Sequence, residues 1–435
     1  MKKVLASGIV LLMGTTAILT GCASDNQQAA TGGNGKAQPA DTSAAKKQTV
    51  LKLMIWDKEE QLKGAFDLFQ QKHPEIKLDV NFTDNKQYDN ILNTKLASGE
   101  GPDLFEVGAQ IRNLAAAGFA LDLTNEPFTK KFQETGLSSF TYKGHNYGIP
   151  WMSWVEGIFY NKDLFQKAGI TQVPTTWDEF LQAHAKLKQA GIKPQAMGAK
   201  SWEPMMKQTL ALVNAGFFSD PASKGWGDKF SNKQVNMNGT FDKYLEKWSE
   251  IVKQGYLTPD MLGMDYDQAL DEFATGKAAM WESGNWAIES MKKKNANLNL
   301  GFFPIPAIEG KPWLMGGPGA AWAVSKTSKN VEAAKTFLEF WATPEAQLAA
   351  QKTYGGGLFL KGTEASLDPA MDGAKEALAE GRIFAPWNEW YGAQAIIVEY
   401  GKAMQDYLAG GRKSVTDVQK SADQKRDEMY ETMPK

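Results

Sequence analysis

Apolar and polar positions along the chain change period repeatedly, and each change marks an element. Residues 50–56 form a short apolar run that reads as a buried strand, with Asp57 at its carboxyl end. Leu62, Ala65, Phe66 and Phe69 then recur at the spacing of one helix face. Ile76, Leu78, Val80 and Phe82 alternate with polar neighbours, as a half-buried strand does. Tyr88, Ile91, Leu92 and Leu96 return to helical spacing, and Gly101-Pro102-Asp103 turns the chain into an apolar strand over 104–107. Strand and helix in alternation predict an α/β lobe. Ligands of open α/β sheets bind beyond the carboxyl ends of the strands. Asp57 and the segment Gly108-Ala109-Gln110 fall at such ends.

Farther on, Tyr147-Gly148-Ile149-Pro150-Trp151 reads as a turn that leads into an extended segment over 155–161. Periodicity then predicts helices over 177–190, 202–214, 241–254, 331–341, 344–352 and 415–433. A shorter helix face carries Tyr266, Ala269, Leu270 and Phe273, and strands are predicted over 277–280 and 298–303. No internal repeat interrupts the series.

The amino end is different material. Lys2 and Lys3 precede an uncharged, mostly apolar stretch over 4–19. A membrane span needs about 20 apolar residues, so this stretch fits the core of an export signal better. Residues 1–21 are therefore expected to be a signal peptide. Leu19-Thr20-Gly21-Cys22 resembles the lipobox of bacterial lipoproteins, which implies cleavage before Cys22 and a diacylglycerol on its thiol. Residues 22–48 hold no large apolar side chain and are expected to be a disordered tether, with an r.m.s. reach of about 25–30 Å.

Composition narrows the chemistry. Cys22 is the single cysteine, so no disulfide within the chain and no multi-cysteine metal site is expected. His73, His145 and His184 are too scattered to suggest a histidine metal site. The net charge of −2 points to neither nucleic acid nor a polyanionic surface. Fourteen tryptophans stand out in a chain of 435 residues.

The order of motifs resembles the extracellular solute-binding proteins of ABC sugar importers, the family that includes maltose-binding protein. The resemblance rests on Gly101-Pro102-Asp103-Leu104; Tyr147-Gly148-Ile149-Pro150 followed by Phe159-Tyr160-Asn161-Lys162-Asp163; Pro174-Thr175-Thr176-Trp177-Asp178-Glu179-Phe180; Phe273 with Gly276-Lys277-Ala278-Ala279-Met280; and Glu332-Ala333-Ala334-Lys335. It implies an α/β, two-lobed periplasmic-binding-protein-like fold with discontinuous lobes and a hinged cleft. Lobe one is expected over 49–158 and 308–343, and lobe two over 159–307 and 344–435. It also implies a monomer that delivers a carbohydrate to the membrane subunits of an ABC importer, without a cofactor and without catalysis, at the extracellular face of the cell membrane and held there by the lipid on Cys22 alone.

A sugar offers hydroxyls at its edge and C–H patches on its faces. Tryptophan supplies a flat, rigid, amphipathic plate, and ionised carboxylates accept hydroxyl hydrogens. Trp202-Glu203, Glu282 with Trp286, and Trp387 with Trp390 combine the two types. The resemblance places Glu203, Trp286 and Trp390 on lobe two facing ligand, Asp57, Gln110 and Gly316-Gly317 on lobe one, and Trp151 and Trp154 near the hinge. Trp177, Trp248, Trp322 and Trp341 fall on apolar patterns and are expected in the core. Two other ligand readings stay open at this level. A polyamine also calls for carboxylates and aromatics, and a secreted glycosidase needs a pair of carboxylates about 5–10 Å apart. A phosphate ester would favour arginine, and only Arg382 lies near a tryptophan-rich segment.

Overall fold

The computed structural model describes residues 48–57, 59–363, 366–412 and 414–433. The expected export signal, Cys22 and the tether up to residue 47 lie outside the described residues. The strands are β1 (Thr49–Ile55), β2 (Ile76–Phe82), β3 (Leu104–Val107), the short β4 (Thr141–Tyr142) and β5 (His145–Asn146), β6 (Ile149–Asn161), β7 (Lys193–Ala196), β8 (Ala278–Gly284), β9 (Leu300–Phe303), β10 (Leu314–Val324) and β11 (Ile383–Phe384). All but β4 and β5 join one nine-stranded sheet in the order β2-β1-β3-β10-β6-β8-β7, with β11 on β10 and β9 on β6. β1 is parallel to β2 and β3, while β10 runs antiparallel to both β3 and β6.

Two strands belong to both lobes. In β6, Ile149, Trp151 and Met152 are buried with β1 and β2 in the core of lobe one. Val155, Phe159 and Ile158, on alternate faces, are buried in the two core clusters of lobe two. β10 does the same in reverse: Leu314 and Met315 belong to lobe two, and Ala320, Trp322 and Val324 to lobe one. The period of two along each strand sends successive side chains into the layers on opposite sheet faces. Lobe one is capped by the helices Glu59–Lys72, Val331–Trp341 and Pro344–Tyr354. Lobe two is built around the helices Trp177–Gln189, Glu203–Val213, Asp242–Lys253, Ala393–Leu408 and Val415–Glu431.

These cores move the expected boundaries. The first crossing lies between Met152 and Val155, and the second between Met315 and Ala320. Residues 344–354 were expected in lobe two, yet Ala346 and Ala350 pack in the core of lobe one with Leu62 and Phe66. Leu360 is still in that core, and Ala370 and Met371 are in the other, so the third crossing falls between them. Gly355, at φ 78, ends the helix Pro344–Tyr354 in a left-handed conformation that suits glycine and releases the chain toward the hinge.

The first crossing is tied to the end of the helix Pro344–Tyr354 and the segment after it. Ser153 N–H donates to the Gly357 carbonyl at 2.8 Å, and Gly357 N–H donates back to Ser153 Oγ at 2.8 Å. Asn285 accepts from Val155 N–H at 2.7 Å and donates to the Tyr354 carbonyl at 3.1 Å. A Cβ on Gly316 would lie 2.3 Å from the Trp154 carbonyl oxygen, so only glycine lets β10 approach β6 there.

Candidate ligand-binding site

Where β6 leaves the hinge, Trp154 and Glu156 point to one face while Val155 points into the core, as the strand period requires. The helix Glu203–Val213 places Glu203 and Lys207 one turn apart. Lys207 Nζ lies 2.9 Å from a carboxylate oxygen of Glu156 and 2.9 Å from one of Glu203. The same ammonium stands 5.3 Å from the Trp154 ring centre and 5.6 Å from that of Trp286. Trp286 follows β8 and donates its indole N–H to the Tyr266 hydroxyl at 3.0 Å. Trp387 stacks on Trp154 at 5.9 Å and 24°. Trp154 and Trp286 keep part of their surface open, while Trp387 is buried behind them.

Burial works against the charge of Lys207, but the charges of Glu156 and Glu203 outweigh it and hold the group firmly as an ammonium. Burial pushes the Glu156 carboxyl up, and Lys207 pulls it back. Glu282 sits on β8 behind this cluster. Its carboxyl lies beside Gln208, and burial and then the charge of Glu156 push it well above the usual range, with Lys207 and Gln208 opposing.

Lobe one contributes a second acidic group. Glu106, at the carboxyl end of β3, accepts the backbone N–H groups of Trp56 at 2.6 Å and Asp57 at 3.1 Å. The Asp57 and Glu106 carboxyls interact directly. Burial raises Asp57 to about 6, and burial followed by the Asp57 charge raises Glu106 well above its ordinary value. One oxygen of each is buried without a partner among the described residues. Tyr354, whose hydroxyl is also pushed up by burial and by these two carboxyls, borders the pair. Gln110 spends its side-chain oxygen on the Gly108 N–H at 2.9 Å, while its neighbour Ala109 packs against the core of lobe two.

The structure thus brings Trp154, Glu203, Trp286 and Trp387 together, and sets Asp57 at the strand ends of lobe one. Other expectations need correction. Trp151 lies in the core of lobe one, enclosed by Trp322, Trp341 and Tyr354, because it stands on the lobe-one side of the first crossing. Trp390 is buried among the lobe-two helices against Phe230 at 5.1 Å and Trp226 at 6.4 Å, so its faces are already covered. Trp202 is half-buried, with its backbone against Gly401 and its ring packed on the core of lobe two, while its neighbour Glu203 meets Lys207. Gly316 and Gly317 are not a ligand loop: they sit within β10, paired with Val155 and Trp154. Glu282 backs the cluster from inside. Glu106, Glu156, Lys207 and Tyr354 were missed. For Glu156 and Lys207 a signal existed: each is a charge in an otherwise apolar stretch of strand or helix.

The family profile described as "Bacterial extracellular solute-binding protein" matches residues 55–348. The chain belongs to this family of bacterial extracellular solute-binding proteins. A Streptococcus mutans relative named "Multiple sugar-binding protein" is 26% identical over 312 residues, 69% of this chain and 72% of that protein. An uncharacterised ABC transporter extracellular-binding protein of Pyrococcus horikoshii is 30% identical over 339 residues, 73% of this chain and 74% of that one. Among solved structures, a chitin oligosaccharide binding protein superposes on this solute-binding protein with a TM-score of 0.76 at 26% identity, covering 88% of this chain and 100% of that one. The two lobes and the shared strands β6 and β10 fit the fold of that family. No helix among its described residues is long and apolar enough to cross a membrane.

Proposed function

We propose that this solute-binding protein captures a carbohydrate, an oligosaccharide rather than a single ring, and hands it to an ABC importer from a lipid anchor on Cys22. The observation that carries the reading is the open wall of Trp154 and Trp286 beside the Glu156–Lys207–Glu203 chain. The indoles offer plates for C–H faces, and the charged groups offer strong donors and acceptors for hydroxyls. The relatives whose names print sugars support the same class. Asp57 and Glu106 supply acceptors from the other lobe. A sugar touching both sets of groups shifts the population toward the closed form by its differential affinity for that form, through the bending of the three crossings, the mode general to periplasmic binding proteins.

A polyamine fits the site less well. Lys207 already sets an ammonium 5.3 and 5.6 Å from the two ring centres, so a ligand cation would meet like charge there. Glu156 and Glu203 are spent on that same lysine, which also removes them as the free acid and base of a glycosidase. The reading is therefore binding without bond making.

The test is calorimetric titration of the full chain with a panel of mono- and oligosaccharides and with spermidine, followed by chromatography of each mixture. Saturable heat with a sugar that is recovered intact supports the reading. A cleaved sugar, or heat with spermidine alone, overturns it.

A further inference from the structure

Carboxyls and cations are unequally matched around the cleft. Asp57, Glu106, Glu156, Glu203 and Glu282 stand at the site or directly behind it, against the ammonium of Lys207. That ammonium is shared by Glu156 and Glu203 of lobe two. Asp57 and Glu106 of lobe one form no ion pair among the described residues, and one oxygen of each is buried without a partner. Arg112 of lobe one does not help them, since its charge faces Asp228 and Glu389 of lobe two. Even with one proton on Glu282 and another held between Asp57 and Glu106, carboxylates stay in excess over the ammonium. Taking charge out of water is costly unless it is paired. A neutral ligand that covers this cleft leaves the excess unpaired, whereas a ligand that carries a cation offsets it.

The acid pair adjoins the tryptophan wall on two sides. A Cβ on Gly319 would lie 3.0 Å from Cδ1 of Trp154, and one on Gly108 would lie 3.7 Å from the Gly319 carbonyl oxygen and 3.9 Å from the ring of Trp56, the residue before Asp57. On the other side Asn285, the residue before Trp286, donates its side-chain amide to the Tyr354 carbonyl at 3.1 Å. The Tyr354 hydroxyl in turn feels the charges of both acids. Asp57 is half-buried and Glu106 fully buried, so Asp57 is the member that meets the cleft.

An ammonium suits this pair better than a hydroxyl does. It brings three donor hydrogens and a positive charge, and hydrogen bonds between ionised groups are about twice as strong as neutral ones. Lys207 restricts where on the ligand that charge sits. Beside the indole rings a second cation meets like charge, so the cation must project from the ligand toward lobe one. A polyamine laid along the rings does not meet that condition. A sugar ring with an amine at its edge does, because its C–H face covers the indole while the amine points away from it.

We infer that the protein selects amino sugars, with the ring faces of an oligosaccharide on Trp154 and Trp286 and a free amine held by Asp57 and Glu106. The inference rests on the carbohydrate reading above and adds to it the charge of the ligand.

The test is calorimetry of the full chain, wild type and Asp57→Asn, with short oligosaccharides that share a backbone and differ in one substituent. Oligomers of glucosamine, of N-acetylglucosamine and of glucose in the same linkage present an amine, an acetamide and a hydroxyl at one position. The corresponding galactosamine and galactose series, with raffinose, complete the panel. The free amine is expected to bind the wild type about thirtyfold more tightly than its hydroxyl or acetamide counterpart, the worth of one charge-assisted hydrogen bond. Asp57→Asn is expected to remove most of that preference, weakening the amine far more than the hydroxyl form. In the wild type, an amine bound no better than its hydroxyl counterpart in either series overturns the inference, and this comparison stands whether or not the variant folds. An Asp57→Asn protein that keeps the full preference overturns it too. Binding of neutral sugars alone keeps the carbohydrate reading and removes the amino sugar, whereas silence with every sugar removes both.

Discussion

Replacing Lys207 by methionine removes the ammonium that joins Glu156, Glu203 and the two indoles. The lysine side chain is 13% exposed and the Glu156 side chain 5%, so the partner left behind is a carboxylate in a dry place. Breaking a buried pair from one side costs about 3–5 kcal/mol. Glu203 is 38% exposed and returns to water, so it adds little. Each lost cation–π contact adds about 0.5–1 kcal/mol. The cost depends on pH in a defined direction. Burial already pushes Glu156 up, and without Lys207 the main opposing pull is gone. A carboxyl with a raised folded pKa is neutral in the folded state below that value. Its stability is fully present below the unfolded pKa and is lost as pH rises toward the folded one, by about 1.4 kcal/mol per pH unit. Lys207→Met is therefore expected to lose only about 1 kcal/mol at pH 5, where Glu156 takes a proton readily, and about 3–5 kcal/mol at pH 8. Adding Glu156→Gln to that variant removes the stranded charge and restores about 2–3 kcal/mol at pH 8. Urea unfolding followed by tryptophan fluorescence at the two pH values reads all of this. A single and a double variant of equal stability at pH 8, or a loss independent of pH, would refute the reasoning.

The Asp57–Glu106 pair predicts a pH trend in the unaltered protein: with Asp57 raised to about 6 from 3.8, stability without ligand falls as pH climbs from 4 through 6, by up to about 3 kcal/mol, and Asp57→Asn flattens that stretch of the curve. Trp154→Ala and Trp286→Ala each weaken sugar binding by about thirtyfold or more, the loss of a hot-spot aromatic, in calorimetric titration. Their unfolding midpoints move much less than that of Trp151→Ala, whose ring is core and costs about 3–5 kcal/mol. Gly316→Ala drives a methyl to within 2.3 Å of the Trp154 carbonyl, and it lowers stability by about 1–3 kcal/mol in urea unfolding while also weakening the sugar, since the strain falls on a crossing that must bend.

Much of the frame was legible from period alone. The strand Leu104–Val107 and the helix Val331–Trp341 fall where their apolar spacing predicts, since each buries one clean face or a whole short run. β10 escaped because Gly316-Gly317-Pro318-Gly319 has the composition of a turn. It is a strand because β6 pairs with it through the glycines and β3 pairs with it beyond them, which is information from across the sheet. The helix Ala393–Leu408 also escaped: Ile396, Ile397, Tyr400, Ala403 and Met404 are buried together, and the tryptophan-rich segment before it drew attention to chemistry instead. Tryptophan marks a site poorly for a related reason. Trp151 and Trp154 are three residues apart on one strand, yet one is core and the other half-exposed, because the strand leaves the core of lobe one after Met152. The resemblance supplied lobes and a cleft, but the buried lysine at their junction became visible only when Glu156 from a strand and Glu203 from a helix were seen to converge on it.

The most direct test of the site is a crystal structure of the full chain with the oligosaccharide that binds most tightly in titration. The account predicts a sugar ring against the open faces of Trp154 and Trp286, with hydroxyls hydrogen-bonded to the Glu156–Lys207–Glu203 chain and to Asp57 or Glu106 from the other lobe. A sugar bound elsewhere, with those two indoles left bare, would contradict it.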